Sequence, residues 1–191
     1  MMEILAHRRD HEHSKKESVF YYLPKNKAFV TLFNLSILWK NDRLDKIQFI
    51  RPLVSIEKDS HLRVCDKLAP LVIFLDQYFE GKRPDVLPFL DEFHLLNQIN
   101  SEFRKKVYMQ AVRIRYGVQF SYREIASQLE SKAYQAIGTA LKNNPFPLVI
   151  PCHRVVGSKG LGGFMGKNGT SDVWEIQIKK SLIAFEKDAL S

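Results

Sequence analysis

Cys152 stands between a proline and a histidine in the run Asn144-Pro-Phe-Pro-Leu-Val-Ile-Pro-Cys-His-Arg-Val155, and it is one of only two cysteines in the chain. A thiol is mostly protonated near neutral pH and the thiolate is the nucleophile, so chemistry here needs a neighbour that takes the proton or steadies the charge. His153 can act as base, directly or through a water, and Arg154 brings a positive charge beside it. A carboxylate that orients the imidazole would complete a Cys-His-acid set. Glu186 and Glu175 both fall in a terminal helix expected over residues 172–188, and the residues alone do not choose between them. The plainer fate of a cysteine is a buried structural thiol. Cys65, in a helical stretch with no histidine signature around it, reads that way.

Several elements must hold this thiol in place. The apolar stretch Phe146 to Ile150 carries the chain inward, and Pro151 stops regular structure just before Cys152. Upstream, Ser121-Tyr122-Arg123-Glu124 is a Ser-x-x-Glu capping box that opens a helix through Leu129. A break at residues 130–132 leads into another helix over 133–142, and two short helices so joined suggest a helix-turn-helix, although its turn lacks the usual glycine. The second of these helices carries small side chains at Ala136, Gly138 and Ala140. Glycine in a helix costs about 1 kcal/mol relative to alanine. Close packing is the simpler reason for it, and a slim helix able to enter a DNA groove is the other. Residues 101–112 read as a further helix, with Phe103, Val107, Tyr108 and Ala111 on one face.

In the first half, Val19 to Leu23, Phe29 to Trp39 and Lys46 to Ile50 are strand-like runs. Pro24-Lys25-Asn26 and Asn41-Asp42 separate them, which predicts a small antiparallel sheet with tight turns. Residues 1–18 read as a loose end or a peripheral strand approach. A helix follows from Leu62 to Glu80, closed by Glu80 to Pro84, and Leu87 to Phe93 reads as a connecting segment. The fold class expected is α+β, with domains at residues 1–98 and 99–191. Net charge is +8, and residues 101–191 carry 14 Lys/Arg against 7 Asp/Glu, whereas residues 1–100 carry 15 against 14. The basic half is the half with Cys152, which points to a polyanion such as nucleic acid, or to a merely solvated surface. The lack of an apolar span and of a leader, with two cysteines, suggests a reducing compartment, cytoplasmic or nuclear.

Pro151-Cys152-His153-Arg154-Val155 preceded by Asn144-Pro145 resembles the active-site signature of the O6-alkylguanine-DNA alkyltransferases, the methylated-DNA–protein-cysteine methyltransferases. Other matches stand in order. Tyr116-Gly117 before Ser121-Tyr122 is similar to the entry to the helix-turn-helix, and Ala136-Ile137-Gly138 to the Ala-Val-Gly of the recognition helix. Gly160 and Gly162-Gly163-Phe164 resemble the active-site loop, Leu182 to Glu186 the terminal helix, and Asp76 to Lys82 the helix end before the domain link. The likeness covers roughly residues 71–188. It implies a small N-terminal α/β domain with a short antiparallel sheet, ribonuclease H-like in the family, and a mainly helical DNA-binding domain after it.

The resemblance further implies single-turnover repair. An O6-alkylguanine, or O4-methylthymine, is flipped out of double-stranded DNA, and its alkyl group passes irreversibly to Cys152 without a cofactor. By similarity His153 is the base, Glu186 orients it, Tyr122 donates a proton toward the guanine, and Asn144 braces the turn. Gln135, Ala136, Gly138, Arg154 and Tyr122 would meet DNA, with Pro147, Val155, Gly163 and Phe164 lining the base pocket of a monomer. Gln135 stands where the family has an intercalating arginine, which implies weaker extrusion, and Phe164 stands where a tyrosine is common. His7, His11 and His13, with Cys65 or His61 as a distant fourth ligand, could bind metal, but their spacing matches no tight template and a solvated tail is the reading adopted. Two alternatives stay open: a protein that binds alkylated bases without reacting, and a Cys-His-Glu hydrolase.

Overall fold

The computed structural model describes residues 17–52, 66–158, 160–167 and 173–190, together with the backbone of residues 4–8. The chain falls into two units, Met1–Pro84 and Asp85–Ser191. The first unit holds an antiparallel sheet in the order β1 (Ile4–Arg8), β2 (Glu17–Tyr22), β3 (Asn34–Lys40), β4 (Arg43–Ile50). Alternation sets its buried face: Leu35, Ile37 and Trp39 on β3 point inward while Ser36 and Leu38 are half-buried. Across the β3–β4 pair, Trp39 faces Leu44 but Leu38 faces Lys46. Asp45 is therefore an extra residue, and this bulge lets Leu44 and Ile47 bury on the same side. Asn41 and Asp42 both have positive φ, 50° and 61°, as the tightest hairpin turn requires.

The run Phe29 to Trp39 is not one strand. Residues 26–33 coil through i→i+3 and i→i+4 bonds such as Phe29 N to Asn26 O at 2.9 Å, and strand geometry begins at Asn34. Phe29 and Phe33 are fully buried there, against each other and against Phe79, so aromatic packing overrides their strand propensity. Helix α1 (Ala69–Phe79) follows a 3₁₀ turn at Asp66–Leu68; residues 62–65 of the expected helix lie outside the described residues. Gly81, at φ 76°, ends it with paired bonds from Gly81 N to Tyr78 O and Lys82 N to Gln77 O. Of the histidine group only the backbone of His7 is described, and Cys65 and His61 fall outside as well.

In the second unit the order is α2 (Leu87–Glu92), α3 (Glu102–Arg113), β5 (Phe120–Ser121), α4 (Tyr122–Gln128), α5 (Tyr134–Lys142), β6 (Val155–Val156) and α6 (Trp174–Asp188). α2 occupies the expected connecting segment, with Pro88 in its first turn, where proline is welcome. The capping box closes in both directions, Glu124 N to Ser121 Oγ at 3.2 Å and Ser121 N to Glu124 Oε2 at 2.6 Å. The turn between α4 and α5 does pass through the left-handed region, but with Glu130 at φ 50° in place of glycine. Among the described residues no helix is long and apolar enough to cross a membrane.

Candidate active site

Two elements deliver the thiol. On α3, Tyr108 OH donates to Ala140 O at 2.8 Å, and Arg104 donates to Asn143 O at 2.9 Å, so two carbonyls at the end of α5 are tied to α3. This fixes Asn144, whose side chain then organises the next turn. Its Oδ1 accepts from Phe146 N at 3.0 Å, and its Nδ2 donates to Ile150 O at 2.8 Å and to Cys152 Sγ at 3.2 Å. Within that turn Leu148 is held at φ 73°, a conformation unfavourable by about 1–2 kcal/mol for a residue with a Cβ. Its complete burial offsets the strain.

Cys152 opens a single 3₁₀ turn, Cys152–Arg154, and is buried. Burial pushes its thiol up; the Asn144 amide, the Lys179 charge and the backbone groups of Cys152 and His153 pull the other way. His153 Nε2 lies 2.7 Å from Glu186 Oε1. Glu186 also accepts from Arg154 Nε at 2.9 Å and from Gly117 N at 3.0 Å. Burial alone would raise the Glu186 carboxyl, but His153 and Arg154 outweigh it and hold it well below the usual range. With Glu186 an anion, Nε2 carries the ring proton and Nδ1 is the acceptor nitrogen. Burial, with the charges of Arg154 and Lys179, holds His153 below its ordinary value against the pull of Glu186, so the ring is a neutral base. Glu175, three turns back in α6 and about 16 Å along its axis, is excluded from this set. Exchange of Gly117 is strained: its φ is 76°, and a Cβ there would crowd Glu186 O at 3.0 Å as well as Leu190.

β5 and β6 pair in parallel, Phe120 with Val155 and Ser121 with Val156, which brings the start of α4 to the thiol. Tyr122 is thereby set between two glycines. A Cβ on Gly162 would meet its ring at 3.3 Å and one on Gly138 at 3.9 Å. Burial and then the negative charge of Cys152 raise its phenol, keeping it a proton donor. Tyr122, Cys152, Gly163, Phe164, Gln135 and Gly138 all line one cavity of about 630 Å³. The 3.9 Å spacing at Gly138 is ordinary contact, so close packing does not demand a glycine there.

Four of the expected residues do not line the cavity. Arg154 is buried: besides Glu186 it donates to Ile114 O at 2.7 Å, and its guanidinium lies over Tyr116. Pro147 and Val155 are buried beside the cavity and do not line it. Ala136 is exposed on α5, also outside the lining. Conversely, Tyr134, Thr139, Leu141, Lys142 and Lys167 line the cavity unannounced. Lys179, outside the lining, is a further unannounced residue: it is fully buried, and its Nζ donates to Val155 O at 2.7 Å and Gly163 O at 3.1 Å. Its signal in the sequence is position: Ile176, Lys179, Ile183 and Glu186 share one helical stripe.

Fold and site together define a helix-turn-helix protein built around a buried thiol beside a buried His-Glu-Arg cluster. Residues 102–188 match the family profile of the 6-O-methylguanine DNA methyltransferase DNA binding domain. The methylated-DNA–protein-cysteine methyltransferase of Archaeoglobus fulgidus is 37% identical over 113 residues, 59% of this chain and 70% of that one. The protein of the same name from Sulfurisphaera tokodaii is 42% identical over 90 residues, 47% of this chain, and the match spans about half of that relative's length (54%). The O6-methylguanine-DNA methyltransferase of Pyrococcus kodakaraensis shares the fold at 23% identity and a TM-score of 0.58, with 96% of this chain and 99% of that one covered. A Mycobacterium tuberculosis neighbour solved in complex with DNA has a TM-score of 0.56 at 23% identity, with 83% and 89% covered. The chain belongs to the methylated-DNA–protein-cysteine methyltransferase family.

Proposed function

We propose that this protein repairs O6-alkylguanine in double-stranded DNA by moving the alkyl group onto Cys152, once per molecule. The observation that carries the reading is a buried sulfur opening into a cavity whose wall is the exposed second helix of a helix-turn-helix. A base extruded from the duplex would enter that cavity. The neutral His153, oriented by Glu186, takes the thiol proton through a water. The thiolate attacks the alkyl carbon, the sulfur–carbon bond forms, and the carbon–O6 bond breaks. Tyr122 gives the departing base a proton and is reprotonated from His153 through water, so the proton lost by sulfur ends on guanine. A thioether offers no hydrolytic return, which separates this reading from a Cys-His-Glu hydrolase. O4-methylthymine is proposed as a second substrate. Residues 1–98 are proposed to serve as a support domain and 99–191 as the alkyltransferase domain, in a monomer of the cytoplasm or nucleus.

The test is intact and peptide mass spectrometry after mixing with an oligonucleotide carrying O6-methylguanine. One CH₂ gained on the Cys152 peptide, at one equivalent per chain, is expected. Repeated turnover, or an unmodified Cys152 in folded protein, overturns the reading.

A further inference from the structure

Tyr134 is the first residue of α5 and one of the few large apolar side chains left exposed among the described residues, at 48%. It lies in a run of exposed positions, Lys132 to Ala136, at the tip of the helix-turn-helix. It also lines the cavity of Cys152, beside Gln135 and one turn before Gly138. The inward face of the same helix, Ile137, Ala140 and Leu141, is buried without it. Core packing therefore leaves Tyr134 available at the mouth through which a base must pass. An extruded base leaves a gap in the stack, at a spacing of about 3.4 Å per nucleotide along a strand. Gln135 can offer an amide to the orphaned partner base but has no ring to stack. A phenol ring has the thickness of a base and stacks on any of them.

We infer that Tyr134 is the wedge that fills the stack when the damaged base is everted, with Gln135 beside it as the hydrogen-bonding member of the pair. The inference rests on the repair reading above and adds the residue that holds the duplex open. Apolar and aromatic side chains inserted at a base step act this way in other proteins that deform DNA.

The experiment compares single-turnover transfer by parent, Tyr134→Ala, Tyr134→Phe and Tyr134→Trp on two substrates. One is a duplex carrying O6-methylguanine and the other is the same lesion strand alone, which has no partner strand to hold open. Loss of one stacked aromatic should slow Tyr134→Ala by about tenfold on the duplex. The single-strand rate should fall much less, so that the duplex-to-single-strand ratio drops, and Phe or Trp should retain the duplex rate. A Tyr134→Ala protein that keeps its duplex rate, or that slows equally on both substrates, overturns the wedge. A folded parent inert toward both substrates sinks the repair reading, and the wedge with it.

Discussion

Lys179→Met is a near-isosteric change that removes one charge from the centre of the site. In the parent, burial pulls the ammonium down to about 8 from the 10.5 of a free lysine, with the negative charge of Cys152 opposing. A base held low in the folded state resists protonation there more than it does unfolded. Its cost to folding is thus complete below pH 8, shrinks as pH rises, and is gone above 10.5. The interval between those two values corresponds to about 3 kcal/mol, at about 1.4 kcal/mol per decade. Near pH 7 the variant loses two charged hydrogen bonds, each about 1.5–3 kcal/mol, and is relieved of a buried charge of similar cost, so the two proteins should lie within about 2 kcal/mol. Urea midpoints taken at pH 7.5, 9 and 10 should show the parent gaining on Lys179→Met by about 2–3 kcal/mol over that range. Tyrosine titrations are common to both proteins and cancel in the difference. A gap that stays flat, or that moves toward the variant, would refute the assignment of a buried, charged Lys179. Alkylation of Cys152 by iodoacetamide supplies a second readout: without its cationic neighbour the thiol should react severalfold more slowly at pH 7.

Glu186→Gln strands Arg154 without its counter-charge inside the protein and should cost about 3–5 kcal/mol in chemical denaturation. Because the Glu186 carboxyl is held low in the folded state, the stability it supplies is present above about pH 4.5 and lost as pH falls. His153, also held low, adds acid lability that begins below about 6.5, so part of the parent's acid unfolding profile should flatten in the variant. Asn144→Ala leaves Phe146 N and Ile150 O without side-chain partners and should destabilise by about 2–4 kcal/mol, with iodoacetamide labelling of Cys152 moved to higher pH. Gly138→Ala should raise stability by about 0.5–1 kcal/mol in thermal unfolding, since the added methyl meets nothing closer than the Tyr122 ring at 3.9 Å. If that variant melts lower, the packing reason for Gly138 returns.

The parts legible in the sequence are those whose physics is local. The Ser121–Glu124 box, the Asn41-Asp42 turn and the Gly81 stop are each settled by residues three or four apart, and each forms as its residue types require. The thiol and its histidine are adjacent, so a five-residue run could reveal them. What the chain concealed depends on partners far along it. Glu186 lies on the inward stripe of α6 and Glu175 does not, but the partners that make Glu186 the working carboxylate, His153 and Arg154, lie 33 and 32 residues away. Phe29 and Phe33 look like strand residues until Phe79 gives them a cluster to join. Arg154 is a cation in the basic half, yet the cheapest place for a guanidinium beside a buried carboxylate is against it. Lys179 carries the same lesson in reverse. A lysine on a helix reads as solvated, but the stripe from Ile176 through Ile183 to Glu186 has room for only inward residues, and a charge forced inward must be given acceptors. The site supplies them as Val155 O and Gly163 O, so the ammonium that tunes the thiol also ties β6 to the loop that walls the cavity.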